Sequence, residues 1–195
     1  MHSILVTGAN KGIGLAVVEA ILREQPRYRV IMGSRDLARG RAAREGLVGQ
    51  EPAWSERVEV LKLDVTSDPS VAALQAALAA NGTDDSPPLY GLVNNAGVGI
   101  GSIRAVLDVK LYGLRRVCDA CIPLLEDGGR IVNVTSAAGP NFVAECDAAR
   151  KAFFLDPAIN WERLEQFLSE CIDLSADGFA ALGMGRSSPY GLSKA

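Results

Sequence analysis

A single histidine, His2, occurs in 195 residues. That scarcity excludes a Ser-His-Asp triad unless the N-terminus supplies the base, and it removes any metal site built on several imidazoles. There are only four cysteines, Cys118, Cys121, Cys146 and Cys171. In a chain without a secretory mark they read as reduced cytosolic thiols. Cys118 and Cys121 match C-x-x-C, but they fall in a helical pattern with no second pair for zinc, so packing is the expected role. No apolar run approaches the roughly 20 residues of a membrane span. Met1-His2-Ser3 leads straight into a strand-like run, without the pattern of a signal peptide. Neither sign of charge dominates, with 20 Lys and Arg against 23 Asp and Glu, so no nucleic-acid partner is expected. Arg35, Arg39, Arg41 and Arg44 read as the solvated face of a helix. Together these absences point to a cytoplasmic protein with no membrane partner.

What is present is a soluble α/β composition, 48% apolar with 20 glycines, in a chain long enough to bury a sizeable core. Apolar runs at 3–7, 28–34, 57–64, 90–95 and 128–136 read as strands. Helical patterns lie between them, at 13–24, 37–47 (weakened by Gly40), from Asp68-Pro69 to Asn81-Gly82, and over about 103–123. Near-continuous apolar strands alternating with helices indicate a parallel sheet covered on both faces. The stretches 49–56 and 82–88 read as surface loops. Between Ser136 and Tyr190 the alternation gives way to helical sequence. There "NWERLEQFLSECIDL" (160–174) has an Asn N-cap and an apolar stripe of Trp161, Leu164, Phe167, Leu168, Cys171 and Ile172, expected to pack this excursion onto the domain. The expectation is one domain over 1–195, with a helical insertion over about 140–186.

"TGANKGIG" (7–14) places Gly8, Gly12 and Gly14 between the first strand and the first helix. Glycines there let the backbone turn sharply and approach a phosphate, and the helix N-terminus offers free N–H groups to the anion. It is not a P-loop, because no G-K-[ST] follows. Ser34 and Arg35, with Lys11, offer donors and charge for a 2′-phosphate, which favours NADP over NAD; Asp36 is the competing acid. Asp64, followed by Val65, either caps the loop after strand three or accepts from an adenine amino group. "NNAG" (94–97) suits a backbone passing close to a ligand, and equally a plain strand-to-loop transition. In a helical "PYGLSKA", Tyr190 and Lys194 share a face at i, i+4. An ammonium in reach of a tyrosine favours its phenolate, and such a tyrosine can pass a proton. Ser136, at the end of the fifth strand, is placed to hold a substrate oxygen.

"TGANKGIG", "NNAG", Ser136 and "YGLSK", in this order on a βα alternation, resemble the short-chain dehydrogenase/reductase family over the whole chain. "GANKGIGLA", "SSPYGLSK" and the long helical excursion resemble its carbonyl reductase branch. The resemblance implies a Rossmann-type doubly wound sheet of order 3-2-1-4-5 and NADPH-dependent reduction of a ketone, aldehyde or quinone. It also implies a role for each site residue. Gly8, Asn10, Lys11, Gly12, Ile13 and Gly14 would wrap the pyrophosphate and adenosine side, and Arg35 would meet the 2′-phosphate. Asp64 and Val65 would flank adenine; Asn94, Ala96 and Gly97 would line the ribose and nicotinamide. Ser136 would polarise the carbonyl and Tyr190 would donate the proton. Lys194 would bond the ribose and tune Tyr190. The branch implies a monomer.

Three departures stand out. "KLYG" puts Lys110 where the family has an Asn, and a second ammonium near Lys194 would change the local field. The stretch from Gly97 to Lys110 is also shorter than usual. Moreover, the family fold continues past the Tyr-Lys helix, whereas this sequence stops one residue after Lys194. The expectation is therefore a sheet missing its last strands and a chain that self-associates. A non-catalytic dinucleotide-binding protein, or an inactive fragment of such a reductase, is the rival reading.

Overall fold

The computed structural model describes residues 2–82, 87–185 and 188–195; residues 83–86 of the loop expected at 82–88, and Ser187 in the terminal stretch, lie outside the described residues. In chain order the elements are β1 (His2–Thr7), α1 (Gly12–Glu24), β2 (Tyr28–Ser34), α2 (Leu37–Gln50), β3 (Val58–Lys62), α3 (Asp68–Ala79) and β4 (Leu89–Asn94). Then come α4 (Ile103–Leu107), a π turn (Asp108–Tyr112), α5 (Gly113–Cys121) and β5 (Leu125–Asn133). The chain finishes with α6 (Ala138–Ala144), α7 (Ala148–Phe154), α8 (Trp161–Cys171), α9 (Ala176–Ala181) and α10 (Pro189–Leu192). Two compact units result. The first holds the residues up to Gly97 with Tyr112–Val134, the second Val98–Leu111 with Thr135–Ala195.

The first unit is the expected five-stranded sheet, all strands parallel, in the order β3-β2-β1-β4-β5. Side chains alternate across a strand, so a parallel sheet needs two cores. Val6, Val30, Met32, Val58 and Val93 pack with Val18 and Leu22 of α1 and Leu47 of α2. The intervening Leu5, Ile31 and Leu92 are also buried. α3 and α5 pack on one another, joined by Gln75 Nε2 donating to Ala120 O at 2.9 Å and by an Arg116–Asp68 ion pair at 2.8 Å. Gly40 does more than weaken α2. A Cβ there would lie 2.6 Å from Val60 Cγ1 and 2.9 Å from Ser34 Cβ, so the glycine lets α2 lie close on the sheet.

Local boundaries differ from the sequence reading for identifiable reasons. Ser67, one residue earlier than expected, is the N-cap of α3; its hydroxyl accepts from Ser70 N at 3.3 Å. The helix expected at 103–123 is interrupted by the π turn. β5 begins at Leu125 rather than 128, and its register with β4 shifts between Leu89 and Gly91. Gly128 (φ +79°) takes the bend. β5 ends at Asn133, and Ser136 lies after it, at the entry to α6.

In the second unit, α8 is capped by Asn160, whose side chain accepts from Arg163 N at 2.9 Å. Phe167 of its stripe meets Phe153 at 4.8 Å and Phe154 at 5.7 Å, so the stripe packs on α7. Arg150 lies 4.1 Å over the Phe167 ring.

β5 is an edge strand, and its Ile131 and Val132 are 40% and 51% exposed. Apolar edges template pairing between chains. Light scattering of residues 1–195 is expected to show a mass that rises with concentration, and Val132→Lys should lower it. A native chain that stays monomeric at all concentrations would refute this.

Candidate active site

In the first unit, Thr7 ends β1 and the chain turns through Gly8 (φ +65°) and Gly12 (φ +56°) into α1. Left-handed φ is cheap only for glycine. A Cβ on Gly14 would run into Gly8 O and Asn95 Nδ2, so the third glycine lets α1 start against the turn. Lys11 is the N-cap and makes no side-chain capping bond. Gly12 and Ile13 face solvent, Ile13 at 64% exposure, and Asn10 is half-buried.

Two residues that the motif reading passed over hold this turn in place. Asn95 Nδ2 donates to Thr7 O at 2.9 Å and Gly8 O at 3.2 Å, and Thr7 Oγ1 accepts from Asn95 N and Ala96 N at 3.0 and 2.9 Å. The signal lay in the doubled asparagine of "NNAG" and in a hydroxyl residue ending β1. Asn94, its neighbour, is buried. Its Nδ2 donates to Asn133 Oδ1 at 2.9 Å and Cys118 Sγ at 3.3 Å. Ala96 is half-buried and Gly97 exposed.

At the end of β2, Ser34 is buried and donates to Asp36 O at 2.8 Å, while Arg35 is exposed. Asp36 caps α2, its Oδ1 accepting from Ala38 N and Arg39 N at 2.9 and 3.1 Å. Asp64 Oδ1 accepts from the Thr66 hydroxyl at 2.7 Å and the Thr66 amide at 3.0 Å. Burial opposes the charge, but these bonds and the nearby cations Arg35 and Lys62 hold the carboxyl below its usual range. Val65 beside it is buried.

In the second unit, Ser188 caps α10 by accepting from Gly191 N at 2.9 Å, with Pro189 at the first helical position. Tyr190, half-buried, lies in that first turn. Lys194 lies just beyond the helix, where Lys194 N and Ala195 N both bond Gly191 O at 3.0 Å. α10 packs on α6 and α4. A Cβ on Gly139 of α6 would run into the carbonyl of Lys194. Ser136 Oγ accepts from Ala138 N at 3.2 Å at the entry to α6. Lys110, from the π turn, places Nζ 4.4 Å from the centre of the Tyr190 ring and hydrogen-bonds with Lys194. Burial, then the like charge of Lys194, brings its ammonium down to about 8.

The cysteines are not set up as thiolates. None is in a disulfide, and burial pushes Cys121 up to about 12 and Cys171 to about 11, away from thiolate chemistry. Among the described residues no metal-binding group occurs, and no helix is long and apolar enough to cross a membrane.

Comparison with known proteins agrees with this layout. A family model described as short chain dehydrogenase matches residues 2–154. "Carbonyl reductase [NADPH] 1" of Pongo abelii is 32% identical over 100% of this chain and 70% of its own length. That of Sus scrofa is 33% identical, over 97% of this chain and 66% of its own. Among solved structures, menthone neomenthol reductase from Mentha piperita superposes with a TM-score of 0.84 at 27% identity, covering 99% of this chain and 81% of that one. An alcohol dehydrogenase from the archaeon Thermococcus sibiricus, complexed with 5-hydroxy-NADP, gives 0.60 at 26% identity, over 71% of this chain and 60% of its own. With the glycine turn, the sheet order and a match running through most of its length, this chain belongs to the short-chain dehydrogenase family.

Proposed function

We propose that the chain is an NADPH-dependent oxidoreductase that reduces a ketone, aldehyde or quinone, with Tyr190 as proton donor. The observation that carries this reading is the gathering of Tyr190, Lys194 and Lys110, a phenol among amines, in a chain that also has a phosphate-type glycine turn. The dinucleotide fits the first unit. A Cβ on Gly12 would meet nothing within 4 Å, so the turn borders open space, and no side chain caps the start of α1. Backbone amides from Gly8 to Gly14, with Asn10 and Lys11, would hold the pyrophosphate. Asp64 and Val65 would flank adenine; Asn94, Ala96 and Gly97 would lie toward the ribose and nicotinamide. Bound NADPH would supply the hydride. Ser136 would orient the carbonyl oxygen, Tyr190 would protonate it, and Lys194 would favour the phenolate left behind.

The choice of NADPH rests on β2. Asp36, the acid that could have bonded a ribose 2′-hydroxyl, is committed to capping α2, and Arg35 beside it is exposed. Fluorescence titration is expected to show NADPH binding at least tenfold tighter than NADH, a gap that Arg35→Ala should largely close (a charge-assisted phosphate contact contributes about 1.5–3 kcal/mol). Equal affinities in the native chain would remove this assignment. A second reading, a dinucleotide-binding protein without turnover, is favoured by the like charge between Lys110 and Lys194, the amine expected to serve Tyr190. NADPH oxidation with a panel of small carbonyls separates the two.

A further inference from the structure

Lys110 is brought to Tyr190 by the π turn that divides α4 from α5. A π turn carries one residue more than an α turn and re-aims the side chains around it. Two contacts fix where the amine goes: Nζ lies 4.4 Å from the Tyr190 ring centre, and the amine hydrogen-bonds with Lys194. The first is within cation–π range, and a ring face attracts a cation more as the ring gains electron density. A phenolate ring is richer than a phenol ring. The ammonium therefore favours the state of Tyr190 that exists after the proton has left, which is the differential stabilisation that speeds a step.

We propose that Lys110 is a charge-bearing positioning residue of this site, stabilising the Tyr190 phenolate from its ring face, and that loss of its proton slows the reduction. The inference rests on Tyr190 being the proton donor. The ionisable groups on the turn and its neighbouring elements are these. Tyr190 and Lys194 come from the α10 segment; α4 carries Arg104, paired with Asp173 at 3.7 Å; Asp108 and Tyr112 lie on the turn itself; α5, next in the chain, carries Arg115, paired with Asp119 at 3.5 Å, and Arg116, paired with Asp68 at 2.8 Å; α6 carries none. Because burial and Lys194 bring Lys110 down to about 8, its charge is present near neutrality and lost as pH rises through that value.

The test is the pH profile of kcat for NADPH oxidation with a carbonyl substrate, in the native chain, Lys110→Arg, Lys110→Met and Tyr190→Phe. The native rate is expected to fall about tenfold as pH passes through 8. Lys110→Arg, which stays charged, should hold the neutral rate to higher pH. Lys110→Met should be about tenfold slower at pH 7, with no limb near 8. Carbon-13 NMR of the lysine Cε signals in the native chain should show Lys110 titrating near 8, a readout that needs no turnover. Lys110 titrating in the ordinary lysine range, or an unchanged limb in both Lys110 variants, would overturn this inference alone. Absent turnover in the native chain, or full activity in Tyr190→Phe, would overturn the reductase reading and this inference with it.

Discussion

Tyr190→Phe is expected to lower NADPH-dependent carbonyl reduction by about 10²–10⁴-fold, the range that a positioned proton donor contributes. NADPH binding should be nearly unchanged, because the glycine turn and Arg35 belong to the other unit. The substitution is a clean probe. Phenylalanine keeps the ring, so the contact with Lys110 persists and only the hydroxyl is removed. Steady-state oxidation of NADPH, beside a fluorescence titration of the same protein, measures both quantities. Undiminished turnover would show that another group delivers the proton. A joint loss of turnover and binding would mean that the hydroxyl matters to the fold.

Gly139→Ala carries the second large effect. The added methyl would meet the carbonyl carbon and oxygen of Lys194, both backbone atoms, which cannot yield as a flexible side chain does. Overpacking of this kind costs about 1–3 kcal/mol. Here the structure gives way at the lysine that is expected to serve Tyr190, so turnover should drop at least tenfold even where the protein remains folded. Gly49→Ala is the matched control. It lies on α2 with nothing within 4 Å of the new methyl, and alanine favours a helix by roughly 0.5–1 kcal/mol over glycine. Thermal melting of the two variants should move in opposite directions. A Gly139→Ala protein as stable and active as the native one would mean that α6 and α10 do not constrain Lys194.

The parallel sheet was legible because apolar runs alternate with helical patterns in a βα rhythm, and its order followed from the family resemblance. Spacing marked the candidate positions, with Gly8, Gly12 and Gly14 where a strand meets a helix and Tyr190 and Lys194 four apart, while the roles expected of them came from the family resemblance. What sequence did not show was longer-range. The register shift between Leu89 and Gly91 spends three extra residues of β5 against β4, and no local propensity announces it. The π turn at 108–112 leaves no mark in a helical pattern, yet it decides where Lys110 goes. Asp36 looked like a competing ribose ligand until the N-terminus of α2 was seen to occupy its carboxylate. Gly40 read as a helix weakness because its neighbours Val60 and Ser34 are distant in sequence or lie on another element.

The hold of Asn95 and Thr7 on the glycine turn has an entropic consequence. A segment with glycines at both ends would, left to itself, sample many shapes, and a ligand that had to select one would lose affinity to the ordering. Here the turn leans on β4 through the side chain of Asn95 and the hydroxyl of Thr7, and both are themselves anchored by the central strands. A diphosphate bound at this turn, as proposed, would therefore meet a shape already selected, and little of its binding free energy would be diverted into freezing the backbone that receives it.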